Sequence, residues 1–224
     1  TAPARGEDWI FYYPHAGFEA GHYWGERTGD MSLADAGGIF YDTEPLAEEL
    51  EIAGFPRLRL RASSSAPLAH WVARLEDVAP DGKVALVTGG ALNGAQRGSR
   101  LEPSALTPGK LEDFELDLHF TSWRFARGHR VRLALSNGLF QMLWPLPTPV
   151  ETAVALGTGT ALELPVPGPA STIMRDSAGA WITARCASSK SPEVGAGLAD
   201  SSTAVPRRLH VGALPPSRSR TRDL

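Results

Sequence analysis

The sequence predicts an all-β protein, an antiparallel β sandwich or jelly roll, and three observations carry that prediction. Leu58, Leu60 and Ala62 alternate with Arg57, Arg59 and Arg61, and a period of two puts such residues on opposite faces of a half-buried strand. The same period returns where Phe114, Leu116, Leu118 and Phe120 alternate with Glu115, Asp117 and His119, and where Val131, Leu133 and Leu135 alternate with Arg130, Arg132 and Ala134. Between these runs stand turn signals: Pro80-Asp81-Gly82, Gly89-Gly90, Pro108-Gly109, Gly128 and Asn137-Gly138. They divide the chain into short strands, with no helix-period segment among them.

Residues 1–37 form an aromatic, glycine-rich lead-in in which Trp9, Phe11, Tyr12, Tyr13, Phe18, Tyr23 and Trp24 crowd together. Trp9–Tyr13 reads as a short strand broken by Pro14 and Gly17. So many rings in an irregular segment need a surface to lie on, either this chain's own sandwich or a partner domain. Residues 38–167 are the sandwich domain, with helix expected only in short pieces such as Pro45–Glu49. Residues 168–224 lose the alternation. A hairpin turning at Ser177-Ala178-Gly179 fits within Ala170–Ala184, and the Ser-, Pro-, Gly- and Arg-rich remainder is expected to be mostly disordered. It lacks the apolar surface to offset its ordering entropy.

Apolar residues make up 42% of the 224 positions, enough to bury a sizeable core. A net charge of −3, from 25 acidic and 22 basic residues, argues against nucleic acid or an anionic membrane as the main partner. The arginines at Arg207, Arg208, Arg218, Arg220 and Arg222 are read as a solvated tail. Only Lys83, Lys110 and Lys190 are lysines, a preference for arginine that points to a GC-rich bacterial genome. Cys186 is the single cysteine, which excludes an internal disulfide and disfavours a thiolate metal site. No apolar run reaches the roughly 18–20 residues of a membrane span, and no signal peptide opens the chain. Those features predict a cytoplasmic protein. Because the first methionine is Met31, Thr1 is expected to begin a trimmed or excised piece.

Motifs for chemistry are scarce. The sequence has no G-x-S-x-G nucleophile elbow, P-loop, H-E-x-x-H or paired C-x-x-C. Ser63, Ser64 and Ser65 end a strand and read as loop residues. Asp117 and His119 lie at i, i+2 and could act as base and orienting carboxylate, but alternation places both on the polar face, where an exposed pair is the simpler account. Asp77 and Asp81 could offer oxygens to calcium, yet they are also what a Pro-Asp-Gly turn requires. Gly128 is expected to take a positive φ at the start of a strand, leaving His129 to hydrogen-bond loop backbone in a structural role. Trp144, within Leu139–Pro145, is either an exposed ring of the kind that holds sugars or an apolar packing residue. No catalytic residue, cofactor or metal site is expected.

The ordered segments resemble a known family. Tyr41-Asp42-Thr43-Glu44-Pro45-Leu46 precedes Leu50-Glu51-Ile52-Ala53-Gly54-Phe55-Pro56 and the strand Leu58–Ala62. Ala73–Gly82, Gly90-Ala91-Leu92-Asn93 with Arg97, Leu106–Gly109, Phe125–Leu133 and Leu162–Val166 follow. In order and spacing this resembles the C-terminal domain of the X-Pro dipeptidyl-peptidase, cocaine esterase and α-amino-acid ester hydrolase family of serine hydrolases. The resemblance implies a galactose-binding-like jelly roll resting on an α/β-hydrolase domain that carries a Ser-His-Asp triad. That domain is absent from this chain, which should be inactive alone.

The structural motifs that carry over are Tyr41-Asp42-Thr43, the turn from Asp77 through Asp81 to Gly82, and Gly128-His129-Arg130. Tyr23 and Trp24 become candidates for lining the acyl pocket, with Trp144 a further lining candidate. The chain departs from the family's acidic lead-in pattern at Gly29–Asp35. The expected function is a non-catalytic module that packs on the hydrolase domain and helps to close its active-site cleft. The alternative is a free-standing carbohydrate- or ligand-binding jelly-roll module.

Overall fold

Strands form where the alternation places them, and their apolar rows face one another. The computed structural model describes residues 6–14, 24, 29–140, 142–157 and 159–167, together with the backbone of 173–175 and 181–185. Its strands in chain order are β1 (Glu7–Ile10), β2 (Ile39–Asp42), β3 (Leu50–Gly54), β4 (Arg57–Ser64), β5 (His70–Val78), β6 (Val84–Asn93) and β7 (Glu112–Asp117). They continue with β8 (Thr121–Phe125), β9 (Arg130–Ser136), β10 (Thr152–Ala155), β11 (Ala161–Pro165), β12 (Ile173–Arg175) and β13 (Trp181–Arg185).

Among the described residues the strands make a β sandwich. One sheet runs β1-β10-β4-β11-β13-β12, with β7 on the other edge of β4. The second runs β2-β9-β5-β6, and the pair β3-β8 stands apart. Pairing is antiparallel except between β11 and β13. Leu58, Leu60 and Ala62 of β4 and Phe114 and Leu116 of β7 meet Trp71, Ala73 and Leu75 of β5 and Val131, Leu133 and Leu135 of β9 in one core. The Trp71 and Phe114 rings bridge the sheets, with centroids 4.2 Å apart. Burying a side chain of this size contributes about 2–3 kcal/mol, so this seam carries much of the stability.

A smaller core lies on the outer face of the four-stranded sheet. There Met31 and Ala34, from the short helix α1 (Ser32–Asp35), pack with Val72, Val84, Leu86 and Leu139. Trp24, Met142 and Leu143 flank them. Of the described lead-in, β1 extends the larger sheet, Tyr12 packs on the main core, and Phe11 and Tyr13 are exposed.

Several sequence expectations require correction. Pro45–Glu49 is not helical. Leu46 is held instead by the turn that enters β9: its N–H donates to the His129 carbonyl at 2.8 Å and its carbonyl accepts from Gly128 N at 2.9 Å. The helical pieces are α1 and a 3-10 turn at Gly94–Gln96. β9 is not half-exposed, for Arg132, Ala134 and Ser136 are buried, because α1 covers the face that alternation assigns to water. β7 ends at Asp117, leaving Phe120 out of the strand and exposed. Ser63 and Ser64 are buried strand residues, not loop. β12 and β13 pair antiparallel, as a hairpin in this region requires, with β13 ending one residue past Ala184. Its turn, Cys186, Tyr23, Phe18 and the expected disorder of the tail lie outside the described residues.

Candidate functional site

Three clusters of polar or aromatic side chains stand out, and the first surrounds Asp77. Its buried carboxylate accepts the indole N–H of Trp123 at 3.0 Å on Oδ2 and faces His129 Nδ1 at 2.8 Å through Oδ1. Gly128 takes φ 82° to turn the chain into β9, a conformation that disfavours any residue with a Cβ. His129 thus reaches a carboxylate and not the loop backbone expected from sequence. No serine, threonine or cysteine among the described residues is hydrogen-bonded to that histidine. The unit has a base and an orienting acid but no nucleophile to activate.

Asp81 does not join it. Its Oδ1 accepts from Lys83 N at 3.0 Å and so stabilises the hairpin between β5 and β6, where Gly82 N donates to the Ala79 carbonyl at 2.9 Å. With Asp77 and Asp81 pointing to separate partners, the turn is the account that fits. No group of three potential metal ligands occurs among the described residues. Arg130 donates to the Thr43 carbonyl at 2.7 Å and fastens the start of β9 to the segment after β2. Tyr41 donates to Asp8 Oδ2 at 2.9 Å, joining the sheets. Burial, with Asp8 beside it, pushes the Tyr41 phenol upward, and burial also raises Asp8 against the opposing hydrogen bond.

The second cluster is one the sequence reading missed. Register places Asp42, Arg132 and Glu76 side by side across β2, β9 and β5. Arg132 binds both carboxylate oxygens of Asp42, at 2.6 and 2.8 Å. From α1, Asp35 places Oδ1 2.7 Å from Arg74 and Oδ2 2.7 Å from Arg132. Arg74, 1% exposed, also reaches Glu76 at 2.8 Å. Three carboxylates and two guanidiniums share this buried space, so one proton brings the cluster to neutrality. The Glu76 carboxyl is the one shifted upward: burial pushes its pKa up to about 8, Arg74 opposes the rise, and Asp35 adds to it. Burial alone would lower the pKa of Arg132, but Asp42 and Asp35 more than reverse this. The readable signal was Arg74 and Glu76 standing among the apolar residues Trp71, Val72, Ala73 and Leu75 of one strand.

The third cluster is an open groove of about 590 Å³, lined by Trp24, Phe55, Thr88, His119, Phe120 and Ser122 among others. Phe55 and Phe120 meet edge to face at 5.5 Å, and Trp24 lies 6.2 Å from His119. Trp24 also lies on Gly89, where an added Cβ would come within 2.3 Å of its ring. His119 is thus placed beside an indole, while Asp117 turns to Arg57 at 2.6 Å, and the two form no dyad. Trp144 is 87% exposed and does not line this groove.

Comparison with known proteins identifies the setting of these clusters. Residues 13–177 match the model of the X-Pro dipeptidyl-peptidase C-terminal non-catalytic domain. The chain is similar to the cocaine esterase of Rhodococcus sp. strain MB1 Bresler, 32% identical over 102 residues that cover 46% of this chain and 18% of the esterase. The fold is shared with a solved α-amino acid ester hydrolase, with a TM-score of 0.63 and 24% identity over 74% of this chain and 33% of that one. It is also shared with an aminopeptidase from a marine sediment Thaumarchaeota archaeon, at a TM-score of 0.57 and 22% identity over 66% of this chain and 31% of that one. The chain therefore spans between 18% and 33% of the length of these relatives, and it belongs to the family of X-Pro dipeptidyl-peptidase C-terminal non-catalytic domains.

Proposed function

We propose that this chain is the non-catalytic module of a serine hydrolase, packing on an α/β-hydrolase domain and helping to close its active-site cleft. The observation that carries the reading is the family match, in which relatives named as esterase, ester hydrolase and aminopeptidase are several times longer than the shared region. The His129–Asp77 pair, turned to Trp123 with no nucleophile hydrogen-bonded to it among the described residues, supports a structural part for this module. Bond cleavage then belongs to the hydrolase domain, and the sandwich supplies a rigid wall. Tyr23 and Trp24 remain candidates for the part of that wall nearest the acyl group, Trp24 because its ring lies at an open groove, and Trp144 because it is exposed.

The test is hydrolysis by the 224-residue chain. It is expected to cleave neither a p-nitrophenyl ester nor an X-Pro amide above the uncatalysed rate. Turnover that a serine-directed phosphonate abolishes would overturn the reading.

A further inference from the structure

We infer that the aromatic shelf made by Trp24, Phe55, His119 and Phe120 is the surface on which the α/β-hydrolase domain of the same polypeptide docks. The inference rests on the function proposed above and names the face that serves it.

Exposure of large rings is the first argument. Phe55 is 64% exposed and Phe120 62%, yet the two pack on each other at 5.5 Å and not on the core. Paired exposed aromatics of this kind are common anchors of protein interfaces.

Rigidity is the second. The segments that present Phe55, His119 and Phe120 are pinned from both sides. Leu118 N donates to the Pro56 carbonyl at 2.8 Å and His119 N to that of Gly89 at 2.9 Å. Thr88 Oγ1 donates to the His119 carbonyl at 2.9 Å, and Thr121 Oγ1 to that of Val87 at 3.3 Å. A shelf held this way loses little freedom when it is covered, which favours binding.

The third argument is charge. Among the described residues the groove is lined without an Asp, Glu, Lys, Arg, Asn or Gln side chain, in a chain whose residues are 21% charged. The centres of protein interfaces are depleted of charge in the same way. A sugar site pairs its aromatic platform with carboxylates or amides that hold hydroxyls, and a nucleic-acid site needs cations. Neither is present. The occupant that fits is apolar protein surface, and in the relatives most of the polypeptide lies beyond the region shared with this chain.

Hydroxyl-radical footprinting of the longer polypeptide that joins a hydrolase domain to this one tests the inference. Oxidation at Phe55 and Phe120 is expected to be slowed by about tenfold relative to the unfolded polypeptide, while Trp144 stays reactive. Phe55→Glu and Phe120→Glu, both at exposed positions, are expected to restore oxidation at Trp24 and to lower the thermal midpoint of the joined protein. Reactive Phe55 and Phe120 with protected Phe11 or Trp144 would overturn the shelf and leave docking through another face. Full reactivity at all four rings would overturn both the shelf and the packing reading. Protection that appears only on adding a sugar panel would replace the shelf with a ligand site.

Discussion

Asp35 and Arg74 meet through a 2.7 Å hydrogen bond between α1 and the centre of the four-stranded sheet, at a point where neither side chain is more than 3% exposed. The contact ties the lead-in segment to the sandwich, because Met31 and Ala34 cover the same face from the same helix. Apolar packing supplies the attraction there. The ion cluster sets which register of the helix is accepted, since a shift would leave guanidiniums buried without a carboxylate.

Asp35→Asn is expected to destabilise the fold by about 3–5 kcal/mol, because breaking a buried ion pair from one side strands the partner charge. Chemical denaturation of the variant and the parent measures the difference. A change within about 0.5 kcal/mol, typical of a surface position, would contradict the latch.

Glu76 predicts a pH dependence. Its carboxyl is raised when folded to about 8, against an ordinary value of 4.5, so the folded state binds the proton more tightly than the unfolded one. That contribution is complete below the ordinary value and is lost as pH rises toward 8. His70 works in the other direction: burial lowers its pKa, so its contribution grows as pH rises through its ordinary value of 6.5. The comparison is therefore with Glu76→Gln, whose stability relative to the parent should improve between about pH 5 and 8. A parallel pair of stability curves would contradict the assignment.

Gly89→Ala places a methyl against the Trp24 ring at 2.3 Å and the Ala73 carbonyl at 2.7 Å. Overpacking of this kind costs about 1–3 kcal/mol. Adding Trp24→Ala is expected to relieve only part of it, since the carbonyl stays in place, and thermal melts of the single and double variants separate the two contacts.

Asp77→Ala leaves the Trp123 indole without its acceptor and His129 without its partner, an expected loss of about 1–3 kcal/mol. His129→Ala should cost less, as Trp123 keeps its hydrogen bond. In a polypeptide that also carries a hydrolase domain, kcat for an ester should survive both changes wherever the protein remains folded. A loss of kcat with unchanged stability would assign the pair to the chemistry.

The sandwich was legible because alternation and turn chemistry act locally. Leu58, Leu60 and Ala62 on one side of β4, and Gly82 and Gly128 at their turns, follow from rules that span a few residues. What the sequence concealed depended on partners far along the chain. Arg132 looks solvent-facing until Asp35, 97 positions away, covers it. Asp77 reads as part of a turn until the fold brings Trp123 and His129 to it. Pro45–Glu49 has helical composition, but Leu46 pairs through both its N–H and its carbonyl with Gly128 and His129 at the turn before β9. Resemblance in the order of segments identified the family where no single motif could, since the residues that define its chemistry are not among those of this domain.

The division of labour between this module and a hydrolase domain is tested most directly by mapping a covalent label. A fluorophosphonate that reacts with activated serines is added to the polypeptide joining both domains, and the labelled peptide is located by mass spectrometry. The account predicts that all of the label falls outside residues 1–224. Label on Ser63, Ser64 or any other serine of this chain, at the rate at which ester turnover is lost, would contradict it.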